Sequence, residues 1–290
     1  MMIEVIQLKL RRLIAKYFSG IVFLIYRLKI HFYNFEKKPP ILILTPGKTG
    51  SQSVYYTLKR KFKNYHVFHV HNLSDTGIKK SIEAHLSSKR GSVPLHLIVS
   101  QILNDKLKDY DGAIKIITLV RDPISRSISS IFQNIDMYSE KITNKYLEIN
   151  EKVLLDNLRK NIFFSADQLE DWVYREIETN LYINVLNEDG FPDKGFKIYS
   201  KNKVELLLMR MEDLDHCFKD AIKGFLNLNK SVELCNYNVS EKKYYKTQYT
   251  QIKEKLLLTE VDIRKVFSSK YMKTFYSDRS MKFFIKKYVK

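Results

Sequence analysis

Three groups of residues in this 290-residue chain have the types and spacing to do chemistry. The first is Thr45-Pro46-Gly47-Lys48-Thr49-Gly50-Ser51-Gln52-Ser53, with two glycines, a lysine and hydroxyls at Thr49, Ser51 and Ser53. Glycines let a turn aim several backbone N–H groups at one point, and lysine adds a mobile positive charge, a combination that suits an anion. The second is Arg121 with Ser125 and Ser129, spaced by four so that all three can share one side of a strand–helix junction. A guanidinium offers a phosphate a forked set of donors. The third is His69 and His71, alternate residues that share one face of a strand. Imidazole near pH 7 can accept a proton. Two histidines on one face also suit a metal, but no third ligand is near in sequence.

These residues need elements to hold them. Ile41–Thr45 is an apolar run of strand length, broken by Pro46, Gly47 and Gly50. Ser51 is placed to cap a following helix, whose stripe is Val54, Leu58 and Phe62. Strand, tight loop and helix N-terminus point free N–H groups and a helix dipole at an anion. The nucleotide-binding loop G-x-x-x-x-G-K-[ST] ends like Gly47-Lys48-Thr49, but Leu42 stands where its first glycine belongs, so this is a phosphate loop of another kind. Ile116–Val120 reads as a second strand, with Asp122 as N-cap and Pro123 at the first helical position. His71 lies nearer the carboxyl end of its strand than His69, the end where α/β sheets bind ligands. Val204–Met209 is a further strand, and Glu212 follows as a cap or supporting group at a positive helix end.

The remainder reads mostly as helix: Asp75–Arg90; a stripe of Leu95, Ile98, Val99, Ile102 and Leu103 after Pro94; Asp136–Leu186, with Leu147, Val153, Leu154, Leu158, Trp172, Ile177 and Leu181 as core; and segments of Glu241–Lys290. Asp167, Glu170, Asp171, Glu176 and Glu178 read as a solvated helix face, with a base or an acceptor contact among them as the alternative. Asn187–Gly195 is turn-rich. The expected fold is α/β: a P-loop-like three-layer fold with a central, mainly parallel sheet and a helical C-terminal half. It occupies residues 36–290, after a basic, apolar segment at 1–35.

TPGKTGSQSV resembles the 5′-phosphosulfate loop of the PAPS-dependent sulfotransferases, roughly P-K-[ST]-G-[ST]-[ST]. VRDPISRSISSIF resembles their 3′-phosphate motif, R-D-P-x-x-R-x-x-S, about 70 residues on, and VELLLMRMEDL echoes a later strand. Over most of residues 40–290, including the aromatic, lysine-rich stretch around Lys270–Tyr276, the chain is similar to a bacterial family of capsular polysaccharide synthesis proteins. The resemblance implies transfer of a sulfuryl group from PAPS to a hydroxyl of a glycan, with release of PAP and no metal. Lys48, Thr49, Gly50, Ser51, Gln52 and Ser53 would hold the 5′-phosphosulfate, Lys48 would follow the bridging oxygen, and Arg121 and Ser129 would hold the 3′-phosphate. A His-x-His after the first helix also resembles the heparan sulfate 2-O-sulfotransferases, which implies His71 as the base. His69 and a carboxylate elsewhere remain alternatives. The basic R-K-G loop that cytosolic sulfotransferases carry near their C-terminus is missing, and Lys242 or Lys243 is the nearest replacement.

Composition bounds the rest. Lys and Arg number 50 against 32 Asp and Glu, a net charge of +18, which attracts polyanions or anionic lipid. Neither zinc-finger spacing nor an RNA-binding aromatic motif is present, so nucleic acid is not an expected partner. The two cysteines, Cys217 and Cys235, form no CxxC, which fits a reducing, cytoplasmic compartment without a metal site. Residues 1–35 fit an amphipathic helix on the inner face of an anionic membrane and equally a helix packed on the domain; the uncharged run Tyr17–Tyr26 is too short to span a bilayer. Two other functions compete: a P-loop kinase or NTPase, and a non-catalytic anion-binding protein at a membrane surface. Oligomeric state is not legible.

Overall fold

The computed structural model describes residues 19–88, 91–133, 139–142, 147–149, 151–188, 190–235 and 246–289. A five-stranded sheet runs through it, in the order β2-β1-β3-β7-β6. Its strands are β1 (Pro40–Leu44), β2 (His66–Val70), β3 (Ile114–Val120), β6 (Phe196–Lys201) and β7 (Val204–Arg210). The first three and β7 pair in parallel, while β6 adds antiparallel to β7.

Burial on both faces follows from the strands' apolar runs. Ile41 and Ile43 of β1, Ile117 and Leu119 of β3, and Leu207 and Met209 of β7 face one core with Val54 and Leu58 of α2 (Ser51–Lys61) and Phe218 and Ile222 of α7 (Leu214–Phe225). Leu42, Leu44, Ile116, Val120, Leu206 and Leu208 alternate with them and face the other core. A period of two with both faces apolar marks a sheet covered on each side. The second core is built with α4 (Leu95–Lys108), α5 (Pro123–Gln133) and α6 (Glu151–Val173). The C-terminal helices α8 (Lys246–Lys255), α9 (Glu260–Phe267), α10 (Lys270–Phe275) and α11 (Asp278–Tyr288) add Ile252, Ile263, Tyr271 and Phe284 to it. An α/β, three-layer fold with a mainly parallel sheet and a helical C-terminal half is therefore what the chain forms.

The strand order places the site. From β1 the chain steps to β2 on one side, then returns to β3 on the other. Strand order reverses at β1, and such a switch leaves a crevice at the carboxyl ends of the flanking strands. The Pro46–Gly50 loop leaves β1 at that point.

Several local expectations change. The segment 139–149 is not helical in its described parts: β4 (Ser139–Ile142) and β5 (Leu147–Ile149) pair antiparallel. Strand β6 was not expected, because FKIYSK has no clean alternation, and its half-buried and exposed residues suit an edge. Leu95 and Val153 are exposed rather than core, each in the first turn of its helix. The helix from Asp75 ends at Leu86 (α3). Ser51 does not cap α2; Gly50 occupies the N-cap position in the left-handed region and no side chain caps the helix. Residues 1–18, and the suggested Lys242 and Lys243, lie outside the described residues.

Candidate active site

The loop after β1 is held from beneath by two arginines. Arg121 donates from Nη1 to the Lys48 carbonyl at 2.8 Å and to Ser129 Oγ at 3.2 Å. Arg126, one helical turn on, donates from Nε to the Gly47 carbonyl at 3.1 Å and from Nη1 to Ser165 Oγ at 2.7 Å. A trans peptide holds its N–H opposite its C=O, so the Lys48 and Thr49 N–H groups turn away from the arginines. Lys48 has φ 75° and Gly50 φ 76°, both left-handed. That conformation costs a non-glycine residue about 1–2 kcal/mol, and the Arg121 bond to the Lys48 carbonyl offsets part of it. A side chain at Gly50 would be strained by that φ, and its Cβ, 2.2 Å from Met211 Sδ, would also force the methionine to move. Sharp backbone turns beside an uncapped helix N-terminus make an anion cradle.

The hydroxyls divide between the cradle and the protein. Thr49 is fully buried and donates to the Pro46 carbonyl at 3.0 Å, so its hydroxyl braces the loop from inside. Ser51 Oγ lies 2.8 Å from His69 Nε2. Gln52 is exposed, and Ser53 is half-buried with its N–H on the Gly50 carbonyl. His69 also stacks on Tyr55, and burial followed by the neighbouring His71 lowers it to about 3. Engaged with Ser51, His69 is arranged as an orienter of that hydroxyl.

His71 is fixed differently. Its Nδ1 lies 2.8 Å from the Thr45 carbonyl, which can only accept, so Nδ1 carries the proton and Nε2 keeps its lone pair. Burial lowers its pKa; the Thr45 bond acts upward, and Lys48 and Arg126 act downward. Residues far off in sequence hold the segment. Trp172 Nε1 donates to the His71 carbonyl at 2.7 Å. Glu176, fully buried in the π-helical turn Tyr174–Thr179, accepts from the Leu73 and Ser74 N–H groups at 2.7 and 2.8 Å and from Ser74 Oγ at 2.8 Å. That approach needs Gly77, where a Cβ would meet Glu176 Oε1 at 1.9 Å.

Of the five acids read as a solvated face, Asp167 and Asp171 are exposed as expected. Glu176, Glu170 and Glu178 instead bind backbone: Glu170 accepts from Tyr271 N–H, and Glu178 from Val185 and Leu186 N–H. No periodicity distinguishes an acid aimed inward at a distant amide from one facing water.

On the other side of Arg121 the C-terminal helices close in. Asp122 caps α5, accepting from Ser125 N–H at 2.7 Å. The Tyr271 hydroxyl accepts from Arg121 N–H and donates to the Arg121 carbonyl, both at 3.0 Å. Glu212 accepts from Asp122 N–H at 3.0 Å and from the Tyr276 hydroxyl at 2.9 Å, and burial with the nearby Asp122 charge pushes it up to about 7. Lys287 of α11 lies within electrostatic reach of Asp122, Arg121 and Lys253 of α8. The Tyr288 hydroxyl is buried and lies within hydrogen-bonding reach of the Ser125 side chain. Arg121 and the Asp122 carboxylate both lie near it, and the Lys287 ammonium sits 4.9 Å from the centroid of the Tyr288 ring. Arg126, Lys287 and Tyr288 escaped the reading of the sequence, although Arg126 stands within the quoted R-D-P-x-x-R motif; Trp172 was read as core, Glu176 as a solvated acid or an acceptor contact, and Tyr271 only as part of the aromatic, lysine-rich stretch. His96, at the start of α4, also escaped it; its ring lies 5.1 Å from that of His71, and burial lowers it to about 3. No group of three or more His, Cys, Asp or Glu among the described residues is arranged to hold a metal.

Comparisons with known proteins touch part of this arrangement. Residues 134–277 match the profile of a family described as "Putative capsular polysaccharide synthesis protein". That span is narrower than the similarity read over 40–290. It contains Trp172, Glu176, Glu212 and Tyr271, while the loop after β1 and Arg121–Ser129 lie outside it. Among solved structures, the crystal structure of a sulfotransferase from Alicyclobacillus acidocaldarius matches with 11% identity and a TM-score of 0.33, over 84% of this chain and 99% of that one. Among curated proteins the comparison finds no match.

Proposed function

We propose that this protein transfers a sulfuryl group from PAPS to a hydroxyl of a glycan, a capsular or other surface polysaccharide, and releases PAP. The observation that carries the reading is the joining of two anion sites by one arginine: Arg121 reaches both the Lys48 carbonyl of the β1 loop and Ser129 of α5. A 5′-phosphosulfate in the loop and a 3′-phosphate against Arg121, Ser129, Lys287 and Tyr288 match the two ends of PAPS. The glycan class rests on the family matched over residues 134–277.

Sulfuryl transfer asks for in-line positioning and neutralised charge, much as phosphoryl transfer does. The loop N–H groups and Ser51 hold the sulfate and 5′-phosphate. Lys48 meets the charge that grows on the bridging oxygen as the S–O bond breaks, an interaction strongest in the transition state. As the acceptor oxygen bonds to sulfur, its proton passes to His71 Nε2. With Nδ1 on the Thr45 carbonyl, His71 presents the tautomer for that step, whereas His69 is tied to Ser51.

The test is calorimetric binding of PAP, AMP and ATP without metal, followed by transfer from labelled PAPS to polysaccharide acceptors. PAP binding in the micromolar range with weak AMP binding is expected. Equal affinity for PAP and AMP, or ATP binding that requires magnesium, overturns the proposal in favour of an anion scaffold or a kinase.

A further inference from the structure

The helix α1 (Ser19–His31) is apolar on two sides, and protein covers one of them. Val22, Phe23, Tyr26 and Ile30 pack into the core beside α4. Lys106 of α4 locks the helix in place, donating to the carbonyls of Ile30, His31 and Tyr33 at 2.7 to 2.9 Å, a cation at a helix C-terminus. Tyr33 then stacks on His66, and Phe35 meets Tyr110 edge to face. The outward side carries Ile21, Leu24, Ile25, Leu28 and Phe32, each between 51% and 78% exposed. At about 100° per residue these five fill an arc roughly 100° wide. A helix apolar on two opposite sides normally buries both, and among the described residues nothing covers this arc.

The borders of the arc say what the cover is. Lys29 lies along one edge and Arg27 and His31 along the other, all exposed, and α1 contains no acid. An apolar strip flanked on both sides by cations, which can extend toward headgroups while their stems stay apolar, is the pattern of a helix lying in an anionic lipid interface. A second copy fits poorly, because a self-complementary contact would set these cations against their own copies with no acid on the face to pair them. The preceding residues fit poorly for the same reason: residues 1–18 carry Lys9, Arg11, Arg12 and Lys16 against Glu4. The same charge adds attraction toward an anionic surface. At 13 residues α1 is far too short to cross a bilayer, and no described helix is long and apolar enough to do so.

We infer that the outward face of α1 docks the protein flat on an anionic lipid bilayer, through Ile21, Leu24, Ile25, Leu28 and Phe32 with Arg27 and Lys29 at the rim. This is independent of the sulfotransferase reading. The test is co-flotation of the full-length protein with phosphatidylcholine vesicles, with and without phosphatidylglycerol, at physiological salt. Wild type should float with the phosphatidylglycerol vesicles and much less with phosphatidylcholine alone. A combined Leu24→Ser, Leu28→Ser, Phe32→Ser variant should lose binding at least about tenfold while keeping its melting temperature, because all three side chains already face solvent. The inference is overturned if wild type does not float. It also fails if the triple variant floats as well as wild type, since the net charge alone then accounts for binding. A dimer in solution that the triple variant dissolves would assign the face to a second copy instead.

Discussion

His71 carries its proton on Nδ1 because the Thr45 carbonyl accepts there, and this leaves Nε2 able to take a proton only while the ring is neutral. Burial lowers its pKa, with Lys48 and Arg126 acting in the same direction. The acid limb of the rate profile should therefore lie below the free-histidine value of about 6.5, and activity should be lost only as pH falls through that lower value. Substitution His71→Ala should cut turnover by about 10²–10⁴ and leave PAP affinity nearly unchanged, as pre-steady-state transfer and calorimetry would show. An acid limb unchanged in His71→Ala would move the base elsewhere. The buried Tyr288 hydroxyl supports a second prediction at this scale. Substitution Tyr288→Phe keeps the buried ring and gives up at most the contact with Ser125, so stability should fall by no more than about 1.5 kcal/mol. PAP affinity should fall by roughly tenfold, as expected for loss of one hydrogen bond to a charged ligand, while AMP affinity stays the same. Substitution Lys287→Ala should act in the same direction. Equal PAP and AMP effects would remove α11 from the 3′-phosphate site.

At the scale of elements, the site is a set of strand ends braced by helices from later in the chain. The strand–loop–helix of residues 40–61 and the strand–cap–helix of 114–133 were legible because glycine, proline and Asp122 mark backbone breaks by their own conformational limits. The bracing was not, because Trp172 and Glu176 read as one apolar and one acidic helical residue. Only the packing of α6 and its π-helical end against the segment after β2 turns them toward His71 and Ser74. Substitution Glu176→Ala leaves two buried N–H groups and a hydroxyl without their acceptor. It should destabilise the fold by about 3–5 kcal/mol, a fall in melting temperature of roughly 10 °C. Turnover should fall further than PAP affinity, since the loosened segment carries His71 rather than the phosphate loop. A variant that melts within a degree or two of wild type would show that water satisfies those groups.

At the scale of the whole molecule, a buried carboxyl ties stability to pH. Glu212 sits about 7 in the fold against an ordinary value of 4.5, through burial and the Asp122 charge. A raised carboxyl favours the folded state while protonated, so its contribution is complete below 4.5 and is lost as pH rises through 7. The difference is on the order of 3 kcal/mol. Substitution Glu212→Gln should therefore gain melting temperature relative to wild type between about pH 5 and about pH 8, and a gap that stays constant with pH would show Glu212 ionised throughout. The positive charge and the apolar strip of α1 also belong to this scale, and both point to an anionic surface. The sequence by itself determined the α/β class, the strand–loop–helix around Pro46–Gly50, the strand–cap–helix that carries Arg121 and Ser129, and the histidine pair on one strand, because backbone breaks and strand alternation are local properties of the chain. Which histidine keeps a free nitrogen, which acids face inward and which side of α1 stays bare were decided only by tertiary structure. Most depend on a partner tens to more than a hundred residues away, and no local pattern encodes the direction in which a side chain will find it.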